Sequence, residues 1–301
     1  TDTQVLPEPV TQTNRTVSQK ETDSSERPAR ERSETRFATA SRSQESRRID
    51  DPPMLRNLAL KKLGPYDPTR SMFGALKYDK RFPHLVFHEF GRLQLEGQQG
   101  EYHNPNFEFK APADSVVIAP ISGMISYLEW QPSQSYIQDD WEIHIKPSEH
   151  SLWGVGIDHV VSLACDRGES STGTCELALT AQGEELGVGS PIEAGTPIGT
   201  VGNWQRDSDV GISGRIELTV FRYGDDMKTV VNHCPMSHIA SDLEEELNSV
   251  IRNLMGSFET WAQDQSIYPQ DTMVAPGCRY TAIEEDEQGR ITPAVPQTAG
   301  S

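Results

Sequence analysis

Residues Glu108–Tyr127, EFKAPADSVVIAPISGMISY, decide the architecture. Val116, Val117 and Ile118 form a β-branched run that suits a pleated, half-buried strand. Ala119-Pro120 interrupts ladder pairing, Gly123 supplies a turn, and Met124-Ile125 begins a second strand. A related phrase returns at Gly189–Val201, GSPIEAGTPIGTV, with Ile192, Ile198 and Val201 set between Gly189, Gly195 and Gly199. Two phrases built alike predict two short hairpins, with glycine where the chain must turn at positive φ. Short strands separated by glycine and proline turns predict a mainly β fold, a compact barrel or sandwich.

The flanking sequence extends this pattern. His84–Leu95, HLVFHEFGRLQL, alternates as one strand, which places His84 and His88 about 13 Å apart and favours a structural over a metal-binding role for them. In Trp141–Ile145 the residues Trp141, Ile143 and Ile145 point one way and Glu142 and His144 the other. Val155–Leu163 gives a strand containing His159, Glu176–Thr180 another, and Gly214–Tyr223 a third in which Ile216, Leu218 and Val220 alternate with Glu217 and Thr219. At Ser241 the period changes. Ser241 and Glu244 have the spacing of a capping box, and Leu243, Leu247, Val250, Ile251, Leu254, Met255, Phe258 and Trp261 recur at three- and four-residue intervals. The expected element is an amphipathic helix of about six turns that buries one face on the β-domain.

Composition sorts the ends from the middle. Residues 1–50 hold no Trp, Tyr or Cys and a single Phe, so they cannot bury enough apolar surface to offset their ordering entropy and read as a disordered tail. Arginines and glutamates interleave there, so nearly all of the formal charge of −18 belongs to the remaining chain. Such an acidic surface opposes binding to nucleic acid and to anionic membrane. No apolar run approaches the ~18 residues that a membrane helix needs. The chain opens on Thr1, which points to a processed precursor or a chain trimmed at its N-terminus. The organisation read from these signals is a tail at 1–50, a lead-in with a strand at 51–102, a β-domain at 103–233, a helical extension at 234–281 and a flexible acidic tail at 282–301.

The four cysteines allow three connectivities. Cys165 and Cys175 flank a polar loop, whereas Cys234 and Cys278 bracket the predicted helix, and those are the pairs expected. An even count without CxxC spacing favours an oxidising compartment, hence a secreted or envelope location, over a zinc ribbon. Four buried free thiols are the competing reading.

The two phrases and the strands between them resemble the lysostaphin-type zinc endopeptidases, which cut peptidoglycan cross-bridges, and the wider duplicated-hybrid-motif barrels that include lipoyl and biotinyl domains. The resemblance spans residues 103–223. It rests on Glu108-Phe109-Lys110-Ala111-Pro112-Ala113-Asp114-Ser115-Val116-Val117, leading through Ala119 to Gly123, and on Gly189 to Gly199. It implies that zinc would be held by a His and an Asp four residues apart and by the second His of a His-x-His strand, with two further histidines assisting the attacking water. Along this chain Asn104 stands at the first His position, with His103 one residue away, and Glu108 at the Asp position. Arg215 and Glu217 replace the His-x-His pair, whereas His159 matches a remaining histidine. Arginine does not lose its proton in a protein and cannot ligate zinc.

These substitutions predict a metal-free cleft without a confident catalytic residue, His159 being the one candidate. The resemblance then implies a non-catalytic binding or scaffolding module whose cleft residues are His103, Asn104, Glu108, His144, His159, Arg215 and Glu217. Its partner would be a cell-wall glycan or peptide, or another envelope protein. The alternative is an active hydrolase with an altered zinc site drawn from His103, Glu108, His159 and Glu217, with His144 in reserve. A lipoyl or biotinyl carrier is excluded, because the corresponding turns, ISGM and EAGT, carry no lysine. No Gly-x-Ser-x-Gly, Walker loop or dinucleotide fingerprint is present.

Overall fold

The computed structural model describes residues 51–82, 84–131, 140–166, 175–203, 212, 214–285 and 291–294. The expectation for the tail at 1–50 lies outside the described residues. The lead-in carries β1 (Tyr66–Asp67), β2 (Met72–Phe73) and β3 (Leu76–Lys77), a small antiparallel sheet. Next come β4 (Phe87–His88) and a two-stranded ribbon of β5 (Leu93–Gln94) and β6 (Tyr102–His103). The β-domain supplies β7 (Phe107–Ala111), β8 (Val116–Ile118), β9 (Gly123–Gln131), β10 (Asp140–Lys146) and β11 (Trp153–Val161). It continues through a short hairpin of β12 (Thr180–Ala181) and β13 (Glu184–Glu185), then β14 (Pro191–Ile192), β15 (Pro197–Asn203), β16 (Gly214–Tyr223) and β17 (Val230–His233).

One helix, α1 (Glu244–Ala262), follows, and the chain returns as β18 (Ala282–Glu285) and β19 (Ile291–Pro293). The large sheet runs β14-β9-β10-β11-β15-β16-β17-β18-β19. Beside it β4 pairs with β7, β7 with β16, and β8 with β15.

The two glycine-rich phrases do not close as the two separate hairpins expected, since their strands pair across from one phrase to the other. β8 lies antiparallel on β15 with Val116 opposite Thr200 and Val117 opposite Gly199, while Ile192 of β14 sits opposite Gly123 of β9. Val117, Ile125, Ile143, Ile145, Ile157, Ile198, Ile216 and Leu218 are buried between the faces. Burial of each such side chain stabilises the fold by roughly 1.5–3 kcal/mol relative to exposure.

Four further local expectations are corrected. His84–Leu95 is not one strand: β4 and β5 are separated by a turn in which Gly91 has φ of 82° and donates to Asn104 O. Glu89, inside that turn, is fully buried and pairs with Arg92 and Arg279, so a charged anchor interrupts the ladder. The capping box does not form. Helix α1 starts after Leu243 without a side-chain cap, and its three leading glutamates meet the positive end of the helix dipole instead. Residues beyond 282 are not all loose, since β18 pairs with β17 and β19 with β18. Of the expected strand at Glu176–Thr180, only Thr180 is extended within a pair.

Helix α1 buries Ile251, Leu254, Met255 and Phe258. Phe258 meets the Tyr78 ring edge-on at 5.1 Å and Trp261 lies 5.5 Å from it. Past the helix, Tyr268 donates its hydroxyl to Phe87 O at 2.8 Å, while Phe87 stacks on Phe109. Both disulfides join the expected partners, Cys165 with Cys175 and Cys234 with Cys278. Cys234 and Cys278 are fully buried, and they tie the start of the helical extension to its end.

These two bridges close loops of very different length, with sequence separations of 10 and 44. By chain entropy the longer contributes about 4 kcal/mol and the shorter about 3 kcal/mol. The paired substitution Cys234→Ala with Cys278→Ala should therefore lower the urea midpoint more than the corresponding change at Cys165 and Cys175. The opposite ranking would show that the helical extension is not held by its bridge.

Candidate functional site

The cleft residues gather where β7 crosses β16. The antiparallel register sets Glu217 opposite Glu108 and Arg215 opposite Lys110. Because residues two apart on a strand share a face, these four side chains form a square with unlike charges along each strand and like charges across the pair. Lys110 Nζ donates to Glu108 Oε1 at 2.5 Å. Arg215 reaches Glu217 Oε1 at 3.5 Å with Nη2 and Glu108 Oε1 at 3.8 Å with Nη1. The like-charge pairs across the ladder would each be destabilising, and these unlike contacts offset them. His88 closes one side, its Nε2 3.1 Å from Lys110 Nζ, and Asn106 donates through Nδ2 to Glu217 Oε2 on the other.

His159 enters from β11 with a left-handed backbone, φ of 66°. Here β11 changes partners: Asp158 is the last residue opposite β16, at Glu217, and Val160 is the first opposite β15, at Val201. The pairing with β10 also slips, since Trp141 faces Val160 whereas Ile143 faces Ile157. One extra residue on β11 is thus a bulge that re-aims the imidazole into the square. His159 Nδ1 lies 3.1 Å from Asp140 Oδ2, and both side chains are almost wholly buried. Asp140 and the His159 carbonyl crowd Gly202, where any Cβ would strike them.

Electrostatics follow from this packing. Burial opposes charge on Glu217, but Arg215 and the His159 hydrogen bond prevail and hold it down at about 2. Burial likewise opposes charge on Glu108, and Lys110 outweighs it, so this carboxyl is also lowered. For His159, burial and Arg215 disfavour the imidazolium, yet Asp140 and Glu217 win and raise it to about 10. Arg215 Nη2 lies against His159 Nε2. A guanidinium only donates, so in this contact Nε2 accepts and the imidazole is neutral with Nδ1–H toward Asp140, whereas the surrounding carboxylates, Glu217 Oε1 at 3.6 Å among them, favour the imidazolium. Asp158 is pushed up to about 6, by burial first and then by the neighbouring carboxylates. His88 falls to about 4 through burial and Lys110.

Zinc does not fit this arrangement. Arg215 places a permanent positive charge, and Lys110 a second cationic group, among the carboxylates that would have to bind a cation. Asp140, Asp158 and His159 offer ligand atoms within 4.8 Å of one another. However, Asp140 faces Nδ1 of the imidazole and Asp158 faces Nε2, so the carboxylates do not converge on one ring nitrogen.

Of the residues picked from sequence, Glu108, His159, Arg215 and Glu217 meet. His103 and Asn104 do not join them: His103 Nδ1 contacts Gly91 O, and Asn104 donates to Glu89 O and Asn106 O. His144 pairs with Glu142 at 2.7 Å in an adjoining groove of about 250 Å³ that Asp158, Glu217 and Tyr223 also line. Sequence reasoning missed Lys110, His88, Asn106 and Asp140. Lys110 alone carried a local signal, being two residues from Glu108 on an alternating strand.

No family model matches the chain, and no curated protein matches it. Among solved structures, it is similar to the catalytic domain of lysostaphin from Staphylococcus simulans, at 14% identity over 50% of this chain and 87% of that one, with a TM-score of 0.30. It is also similar to a mutant catalytic domain of the prophage-encoded M23 protein EnpA from Enterococcus faecalis, at 13% identity over 50% of this chain and 88% of that one, with a TM-score of 0.28. A third is Helicobacter pylori Csd3, at 13% identity over 58% of this chain and 41% of that one, with a TM-score of 0.32.

The buried histidines make stability depend on acidity. His88, His233 and His238 all sit at about 4, each through burial, so their stabilisation is complete above the unfolded value near 6.5 and is lost as pH falls through 4. Asp158, raised to about 6, works in the opposite sense. Unfolding between pH 4 and 6 should therefore take up about two protons, a slope of about 3 kcal/mol per pH unit. Denaturant titrations across that range should show stability rising with pH, and His88→Gln should flatten the slope by about 1.4 kcal/mol per unit. A pH-independent midpoint would contradict this.

Proposed function

We propose that the chain is a non-catalytic secreted or envelope protein. In this reading its β-domain, residues 103–233, keeps a peptidase-like cleft for binding or scaffolding, and residues 234–281 form a disulfide-bracketed extension. The single observation that carries the reading is the ionic square of Glu108, Lys110, Arg215 and Glu217. Catalytic zinc needs about three neutral or anionic ligands and one open position. Here the carboxylates are committed to cations, and the two nitrogens of the His159 imidazole face Asp140 and Arg215, so neither is left open to a water. The groove beside the square, with Glu142, His144, Asp158 and Tyr223, supplies polar and aromatic contacts for a cell-wall glycan or peptide, or for another envelope protein. Two disulfides agree with an oxidising compartment. Among the described residues no helix is long and apolar enough to cross a membrane.

A hydrolase with a rebuilt metal site is the second reading, and the proximity of Asp140, Asp158 and His159 is what favours it. Metal analysis of protein prepared without chelators, alongside a cell-wall lysis assay, separates the two. The expected result is no stoichiometric zinc and no lysis. About one zinc per chain, with lysis lost in His159→Ala, would overturn the proposal. Glu217→Gln should instead act on stability, costing about 3 kcal/mol because it leaves Arg215 and His159 buried without their shared carboxylate. Chemical denaturation measures that loss, and an unchanged midpoint would mean that the square is not a structural unit.

A further inference from the structure

Strands β9 and β11 have nine residues each, yet the sheet places them very differently. β11 runs through the middle and is buried at every position except Asp158, whereas β9 is buried at Ile125 alone. The difference follows from the pairing. β9 lies along β10 on one side, but on the other β14 covers only Gly123 and Met124. Ile125 is the last residue tied on that side, its N donating to Ser190 O at 2.9 Å and its O accepting from Gly189 N at 2.8 Å. From residue 126 to 131 no backbone hydrogen bond reaches that side among the described residues.

An unpaired edge of this length is a template for another strand unless something blunts it. Elsewhere the sheet ends in short strands: β4 and β14 have two residues each and β19 three, the last of them Pro293. Residues 126–131 contain neither proline nor glycine. The register slips at Ser126, since Ile125 faces Ile145 and Tyr127 faces His144. Past that bulge, the alternation of an antiparallel ladder turns the backbone N–H and C=O of Leu128 and Trp130 outward. Side chains on the edge are ordered by face. Leu128 and Trp130 lie on one, where Trp130 meets Trp141 at 5.5 Å, and Tyr127, Glu129 and Gln131 lie on the other. Glu129 is the exposed residue of the strand and stands directly opposite Glu142. Glu142 is bonded by Gln131 and His144, whereas Glu129 accepts from the Tyr127 hydroxyl, and among the described residues no salt bridge involves it.

We propose that the free edge of β9 receives an extended basic peptide, which adds to the sheet as one more antiparallel strand. Leu128 and Trp130 exchange backbone hydrogen bonds with it and offer an apolar side to its alternate residues. Glu129 selects lysine or arginine at the position between them, because a cation placed there relieves the like-charge pair that Glu129 makes with Glu142. The same charge argues against a second copy of this chain as the occupant. Two chains of net charge −18 repel, and an exposed glutamate on each edge adds to that repulsion. The edge belongs to neither the square nor its metal chemistry, so it does not depend on how the cleft is read.

Amide hydrogen exchange, followed by NMR on the full chain titrated with a blocked nonapeptide of alternating valine and lysine, tests the proposal. Saturable binding is expected, with exchange slowed at Leu128 and Trp130. N-methylation of the peptide's valines, which face those two residues, should abolish binding, whereas N-methylation of its lysines should not. Glu129→Lys should weaken binding about tenfold and should restore it for the peptide with glutamate in place of lysine, an exchange that misfolding cannot mimic. Glu96→Lys, at an exposed carboxylate elsewhere, should leave it unchanged. Absence of saturable binding, or equal binding of the valine-methylated peptide, would overturn the assignment. Exchange at Leu128 and Trp130 that slows with protein concentration alone would also overturn it, and would give the edge to a second copy.

Discussion

The register of β7 on β16 is the constraint on which the centre of this molecule depends. It brings Phe107 opposite Leu218 and Phe109 opposite Ile216 on one face, and the Glu108, Lys110, Arg215, Glu217 square on the other. A slip of one residue would exchange the two faces, putting phenylalanines among the charges and the charges in the core. The aromatic face is in turn the floor for β4, whose Phe87 contacts both phenylalanines at 5.2 and 5.1 Å. Tyr268, beyond the helix, bonds to the same Phe87. Thus the helical extension, the lead-in and the square all answer to one pairing.

Buried charges are a weak source of net stability, because desolvation consumes much of the Coulombic gain. What the square provides is a penalty against alternatives, since removing any member or shifting the register strands a charge. Its members differ in exposure in a way that fits this role. Lys110 is 3% exposed and Glu108 9%, whereas Arg215 and Glu217 are each 19% exposed. The β7 side is therefore sealed in the fold, and the β16 side borders the groove where a partner can reach it.

Sequence alternation made the strands legible. Gly214–Tyr223 is observed with the bounds read from its pattern, and Trp141–Ile145 lies within Asp140–Lys146. The same alternation placed Arg215 and Glu217 on one face, since side-chain direction on a strand is a local property, while Glu108 was set across from them by the resemblance. What remained illegible depends on distant partners. Nothing near Asp140 announces that it will meet a histidine 19 residues later across a bulge. Glu89 read as part of an alternating strand, and it is buried through its pairing with Arg279, 190 residues away, as well as with nearby Arg92. His103 and Asn104 were drawn into the site by sequence position relative to Glu108, yet the ribbon of β5 and β6 turns them toward Gly91 and Glu89.

The strained backbone at His159 bears on whether the cleft is a relic or a maintained structure. Left-handed geometry at a non-glycine residue costs of order 1–3 kcal/mol and persists only where the surroundings over-determine it. Here they do so at several points: Asp158 accepts from the His159 amide at 2.7 Å, Asp140 holds the ring, and Gly202 leaves room for both. With no advantage to the buried histidine, a glycine at 159 would relieve the strain, and a larger residue at 202 would be tolerated once Asp140 was free to move. The strain, the bulge and the glycine occur together around one imidazole whose two nitrogens are held by Asp140 and Arg215. The bulge on β11 and the absence of a Cβ at residue 202 are therefore parts of one device that fixes the His159 ring against Arg215 and Glu217.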